Sequence, residues 1–89
     1  MTLSNNNEYI LKINDIRYKF QQLNDMIVKS KNERNMKYTE LCECVIFNCE
    51  RLIEEIEHID IDELIEELYI LNFEYEMVKY NINNYMMFS

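Results

Sequence analysis

Three cysteines, one histidine and a dense run of carboxylates are the residues of this chain that could do chemistry. A Cys–His pair can form a nucleophile, and several thiols with a histidine can bind zinc. Cys42, Cys44 and Cys49 all fall in one predicted helix, however, with Cys44 off the side that the other two share. His58 follows well beyond them, and no CxxC pair of the kind common in zinc sites is present. We therefore expect free thiols, with no metal and no cofactor.

The carboxylates are densest between residues 50 and 67, a stretch that contains Glu50, Glu54, Glu55, Glu57, Asp60, Asp62, Glu63, Glu66 and Glu67. Residues 1–37 carry seven cations and four anions, whereas residues 38–89 carry two cations and thirteen anions, which gives the net charge of −8. Paired glutamates are abundant on surface helices and do not by themselves indicate acid–base catalysis. A phosphate-binding loop of the familiar kind requires glycine, which the chain lacks. We predict no catalytic residues and no enzymatic activity.

We define the acidic patch as Glu50, Glu54, Glu57, Asp60, Asp62, Glu63, Glu66 and Glu67. It has two interpretations: a solvated helical face with helix-capping residues, or a contact for a basic surface on a protein partner. In its strongest form, the second interpretation makes the patch an imitation of nucleic-acid phosphates. The same negative charge disfavours direct nucleic-acid binding. The basic cluster of Lys29, Lys31, Arg34 and Lys37 is an alternative partner for the acidic half, within the fold or in a dimer.

The elements that carry these residues are predicted from apolar periodicity, in a chain whose 89 residues fit a single domain, 1–89. Residues 1–7 are polar and predict a frayed tail. Helix 1 is predicted over about 8–29, and a loop over about 30–38, where the periodicity stops and a continuous helix is the alternative. Helix 2 is predicted over about 39–58, with Thr39 as its N-cap and a wide apolar arc that suits contact with two neighbours. The stripe of helix 1 consists of Tyr9, Ile13, Ile16, Phe20, Leu23 and Ile27.

Helix 3 has the clearest start in the sequence. Asp60 and Glu63 form a capping-box pattern, and Ile59 and Leu64 have the spacing of a hydrophobic staple. His58 is expected at the end of helix 2, where a cation complements the helix dipole. Helix 3 is predicted over about 61–86, with an apolar stripe made of Ile61, Leu64, Leu68, Leu71, Tyr75, Val78, Ile82 and Tyr85.

A second apolar stripe, Ile70, Phe73, Met77 and Tyr80, lies on the opposite side of helix 3. Either helices 1 and 2 embrace helix 3 from two sides, or this stripe is an oligomer or docking interface, most simply of a homodimer. Tyr85, Met86, Met87 and Phe88 extend the apolar character into the tail.

These patterns predict an all-α fold, because tight β-turns favour glycine and proline, both of which are absent. Short connections favour antiparallel neighbours, so we expect a three-helix up-down-up bundle or an elongated helical hairpin with coiled-coil packing, oligomeric in either case. The chain has no apolar run long enough to span a membrane, and its first residues lack the apolar stretch of a signal peptide. We expect a cytoplasmic protein in a reducing compartment, without membrane contact.

The composition also carries a hint of origin. Gly, Ala and Pro, whose codons begin with two G or C bases, are all absent, which indicates an A/T-rich genome such as that of a virus or phage. The sequence-based hypothesis is a non-enzymatic accessory protein, in the host cytoplasm if viral, that inhibits a nucleic-acid-handling or defence protein by occupying its basic surface. The alternative is a structural coiled-coil subunit of a larger assembly.

Overall fold

The computed structural model describes the backbone of residues 2–88 and the side chains of residues 7–83. Within that part of the chain it contains three α-helices and no strand: α1 (Thr2–Ser30), α2 (Glu33–Glu54) and α3 (Ile61–Phe88). The all-α prediction is therefore confirmed, and the packing is compatible with a helical bundle. Helix α1 begins at Thr2, earlier than the start near residue 8 that the apolar spacing predicted, and the predicted fraying of residues 1–7 stays a prediction.

The connection between α1 and α2 is much shorter than the predicted loop over 30–38. Only Lys31 and Asn32 separate the helices, and Lys31 takes a positive φ of 55°, which reverses the chain direction. The Asn32 side chain caps α2, because its Oδ1 accepts a hydrogen bond from the Arg34 N–H at 2.9 Å. The predicted cap, Thr39, lies inside the helix instead, where its hydroxyl donates to the Met36 carbonyl at 2.8 Å.

Helix α2 ends at Glu54, earlier than the predicted boundary near residue 58. Beyond Glu54 the backbone forms hydrogen bonds of the 3₁₀ type, between residues three apart. The Ile56 N–H donates to the Ile53 carbonyl, and the His58 N–H donates to the Glu55 carbonyl. His58 consequently lies in the turn beyond the helix, exposed to solvent, and not in the last turn of α2 as predicted.

The start of α3 agrees with the predicted cap at Asp60, but no hydrogen bond from the Asp60 N–H to the Glu63 side chain, both of which the structure describes, completes a capping box. The Asp60 Oδ1 accepts from the Asp62 N–H at 3.4 Å, and the Asp60 carbonyl accepts the first helical bond from Leu64 N–H at 2.9 Å. Ile59 packs, partly buried, against the core that contains Leu64. Ile61 was predicted in the core stripe of α3 but is 37% exposed, because it lies at the first position of the helix, beyond the end of the core. Tyr85 lies outside the described side chains.

One apolar core runs between the three helices. Phe20 at its centre is fully buried and packs edge-to-face on Tyr75, with 5.6 Å between ring centroids. Lys19 and Lys79 place their Nζ atoms 5.5 and 5.8 Å from the centre of the same Tyr75 ring. The buried apolar members are Ile13, Ile16, Phe20, Leu23, Ile27, Cys42, Val45, Cys49, Leu52, Ile56, Leu64, Leu68, Leu71, Val78 and Ile82.

The cross-helix contacts fix the directions of the helices. The Asn81 Nδ2 donates to the Tyr38 hydroxyl at 3.2 Å, so the second half of α3 lies beside the first half of α2. Phe20 and Tyr75 pair α1 with α3 at mid-length. The helices thus alternate up, down and up, in a body of 51 × 17 × 16 Å.

Asn35 is the one polar residue among the fully buried side chains that the structure describes. Neither its Oδ1 nor its Nδ2 has a hydrogen-bond partner among the described residues. An amide that is removed from water without partners opposes folding. Its position near the start of α2 was assigned to a loop from the sequence, so its burial was not predicted.

Candidate interaction surface

The acidic patch lies at one end of the bundle, where α2 ends and α3 begins. Seven of its eight carboxylates are solvent-exposed, and Glu67 is half-buried. None of the eight forms a salt bridge with another described side chain; Arg51, the nearest cation in sequence, pairs instead with Glu55 at 3.0 Å. Asp60 and Asp62 also serve the start of α3, so part of the patch has a structural role. The remaining carboxylates keep their charge available to solvent or to a partner.

The basic cluster lies at the other end of the bundle. Lys29, Lys31, Arg34 and Lys37 surround the turn between α1 and α2. The 22 residues of α2 separate this turn from the acidic end, which corresponds to about 33 Å at the helical rise. No salt bridge between described side chains joins the basic cluster to the acidic patch within one chain, and pairing of the cluster with other carboxylates of the acidic half, or between two chains, stays a prediction. Each chain has two ends of opposite charge.

The second stripe of α3 is open to solvent along its length. Ile70 is 42%, Phe73 63%, Met77 47% and Tyr80 66% exposed, so α1 and α2 do not embrace α3 from both sides. Tyr69, at 75% exposure, adjoins the same stripe. Tyr69 was not among the residues predicted for this interface, although it lies four residues before Phe73 and so shares its side of the helix.

The acidic patch and the apolar stripe meet on a single side of α3. Glu63 and Glu66 precede Ile70 with the same spacing of three and four residues that continues to Tyr80. We call the line formed by Glu63, Glu66, Ile70, Phe73, Met77 and Tyr80 the outer face of α3. Its first part is acidic and its second part apolar, over about 26 Å of helix.

The three cysteines lie on α2, and His58 lies in the turn that follows it. Cys42 and Cys49 are buried, and burial raises the pKa of each thiol to about 11, with Glu43 adding to the effect at Cys42. Both thiols are therefore protonated at neutral pH and are poor nucleophiles. Cys44 is exposed on α2, as expected from its position off the shared side, and all three cysteines are free. In the part of the chain that the structure describes, no three His, Cys, Asp or Glu side chains converge as metal ligands would.

Two open grooves follow the line where α1 meets α3. One, of about 740 Å³, lies beside Leu23, Met26, Lys29, Tyr75 and Lys79. The other, of about 570 Å³, is bordered by the exposed side chains of Leu11, Ile65 and Tyr69. Neither groove contains a histidine or cysteine, and their charged residues, Lys and Asp, lie at the solvent edge. Their form suits packing against a macromolecule better than enclosing a small substrate.

Comparison with protein-family models, curated proteins and solved structures finds no match to this chain. Among the described residues, no helix combines the length and the apolar character needed to cross a membrane. Function must therefore be inferred from the two surfaces that the chain itself presents: the acidic end and the apolar stripe of α3.

Proposed function

We propose that this chain is a non-enzymatic interaction protein, from a virus or phage, that inhibits a host nucleic-acid-handling or defence protein by occupying its basic surface. The observation that carries the proposal is the set of exposed carboxylates at one end of the bundle, none of which is neutralised by a described side chain. Closely spaced negative charges on a rigid helical end resemble a run of phosphates to a basic cleft. The site of action would be the host cytoplasm.

The acidic end also favours this function on kinetic grounds. A concentrated field of one sign steers an oppositely charged partner and accelerates association. Lys37, the cluster member nearest the patch in sequence, lies 13 residues before Glu50, or about 20 Å along α2, so the cluster does not weaken this field at close range. In a solution of physiological ionic strength, charges further apart than ~8 Å are largely screened from each other. The acidic end thus acts independently of the basic end.

The test begins with affinity capture from the host of origin and identification of the partner. The affinity of the purified complex is then measured at rising salt, for the native chain and for a variant with Glu54, Glu57, Glu63 and Glu66 replaced by lysine. We expect steep weakening with salt and loss of binding in the variant, because the contacts are ionic.

A matched control variant reverses four exposed carboxylates outside the patch: Asp15, Asp25, Glu40 and Glu43. The control should keep most of the affinity. A second measurement asks whether nucleic acid and this protein compete for the partner. The proposal would be refuted if the affinity of the complex changed neither with salt nor with charge reversal in the acidic patch. It would also be refuted if the partner still bound nucleic acid while in complex with this protein.

A structural coiled-coil subunit of a larger assembly is the second candidate. The open apolar stripe of α3 favours it, because such a stripe is typical of a surface that is covered in the functional state. The stripe also supports homodimerisation as a simple form of this candidate. A chain that aggregates alone and becomes well behaved only with a co-subunit would favour the subunit over the inhibitor.

A further inference from the structure

We infer that the outer face of α3 is one continuous recognition face, and that it fits a protein partner with an apolar groove that ends in lysine or arginine side chains. This inference rests on the proposed function, since it assumes the same basic partner. Beyond the proposed function, the inference specifies how the two proteins contact each other. Glu63 and Glu66 contact the basic end of the partner's groove, while Phe73, Met77 and Tyr80 fill its apolar part. An amphipathic helix laid into a groove is a common mode of recognition.

The charge of α3 favours a basic partner over a second copy of this chain. Within Ile61–Phe88 the helix carries six carboxylates and one cation, Lys79. Glu74 and Glu76 lie on either side of the apolar stripe at its mid-length, so two α3 helices placed face to face bring four of these carboxylates to the edges of the contact. In an antiparallel pair the glutamates of one helix face those of the other and repel, and in a parallel pair they face Tyr69 and Asn81 and gain no ionic contact. A groove with basic edges turns the same carboxylates into favourable contacts.

The exposed area is sufficient for docking but small for a self-sufficient dimer. An aromatic side chain offers ~150–250 Å² for burial. Tyr69, Phe73 and Tyr80 are 63–75% exposed and so present roughly 300–500 Å² together, to which Ile70 and Met77, each just under half exposed, add a smaller area. A standard interface removes ~800 Å² from each partner. The charged first half of the face has to supply the remainder, which again requires a partner of opposite sign.

The experiment uses three synthetic 18-residue helical peptides as probes, titrated into the full chain and followed by NMR shifts and by calorimetry. The first has a leucine stripe flanked by lysines, the second the same stripe flanked by glutamates, and the third the lysines without leucine. We expect the first peptide to bind and to shift the signals of Ile70, Phe73 and Met77. We expect the other two to bind at least about tenfold more weakly, because each lacks half of the complementary surface.

Variants locate the contact on α3. Phe73→Glu should weaken binding of the first peptide at least about tenfold, whereas Phe47→Glu, on the outer side of α2 with 67% exposure, should leave it unchanged. Glu66→Lys should weaken it by several-fold, and its control Glu40→Lys should not. Both aromatic side chains are exposed, so neither substitution removes a core contact.

Three outcomes would overturn the inference. Phe47→Glu could weaken binding as strongly as Phe73→Glu, the peptide without leucine could bind as well as the first, or sedimentation could show a dimer that Phe73→Glu dissociates. The second outcome leaves the acidic-end proposal standing, because charge alone would then explain binding. Conversely, a natural partner that ignores reversal of Glu54 and Glu57 but responds to Phe73→Glu would refute the acidic-end proposal and retain the apolar half of this face.

Discussion

Replacement of the buried Asn35 by leucine should stabilise the protein. Asn35 lies one turn into α2, fully buried, and both polar atoms of its side chain lack a hydrogen-bond partner among the described residues. Its backbone is already satisfied, since its N–H donates to the Asn32 carbonyl at 3.0 Å. The amide group therefore carries a desolvation penalty without a compensating bond. Leucine has a similar shape and carries no polar atoms into the core.

The magnitude follows from these terms. A buried amide without partners costs about 1–3 kcal/mol. Burial of a leucine side chain contributes about 1.5–3 kcal/mol, from which imperfect fit in an existing core subtracts on the order of 1 kcal/mol. These terms sum to about 1.5–5 kcal/mol; because the buried Asn35 side chain already occupies part of the leucine volume, we expect Asn35→Leu to raise the free energy of unfolding by about 2–3 kcal/mol. For a domain of this length that corresponds to an increase in Tm of about 10–20 °C.

Urea and thermal unfolding followed by circular dichroism measure this effect. The matched control is Gln21→Leu, which replaces an exposed amide on α1 and should change the free energy of unfolding by no more than about 0.5 kcal/mol. An unchanged or lowered stability in Asn35→Leu, with the control neutral, would refute the reasoning. It would show that the Asn35 amide finds hydrogen bonds in solution, or that it holds the register of the helices.

Three further predictions concern the thiols and the first turn. Ellman's reagent should modify Cys44 rapidly, and Cys42 and Cys49 only as the protein unfolds, because these two are buried; three equally fast thiols would contradict the packing. Burial raises the pKa of Cys42 and Cys49 from 9.0 to about 11. Between pH 9 and pH 11 the folded state therefore keeps thiol protons that the unfolded state has lost. The free energy of unfolding should fall as the pH rises through this range. A Cys42→Ala/Cys49→Ala variant should lose that part of the slope in alkaline urea titrations, and an unaltered slope would disprove the assignment. Lys31→Gly should raise the free energy of unfolding by up to about 1 kcal/mol, because φ at this position is 55° and glycine adopts a positive φ without strain. Asn32→Ala should lower the free energy of unfolding by about 1 kcal/mol, because α2 loses its N-cap. Changes of the opposite sign in thermal melts would contradict the turn geometry.

The sequence by itself determined those features that depend on local chemistry. The three helices follow from apolar spacing, and the start of α3 follows from Asp60, whose side chain and carbonyl meet the first N–H groups of the helix. The core members of α1 and most of those of α3 were visible from the same spacing, because a helix with one apolar side must bury that side. The division of charge between residues 1–37 and residues 38–89 also follows directly from the sequence.

The tertiary structure decided what local chemistry left open. Asn32 and Thr39 are both good N-cap residues, and only the packing of α1 on α2 selects Asn32, which leaves Thr39 inside the helix and draws Asn35 into the core. The exposure of Phe73 and Tyr80 likewise depends on where α1 and α2 lie relative to α3. The long α2 then sets the basic and acidic ends apart, and the positions of α1 and α2 leave open the side of α3 that carries Glu63, Glu66 and the apolar stripe. Spacing along one helix specifies which residues share a side, but only the neighbouring helices determine which side is left for a partner.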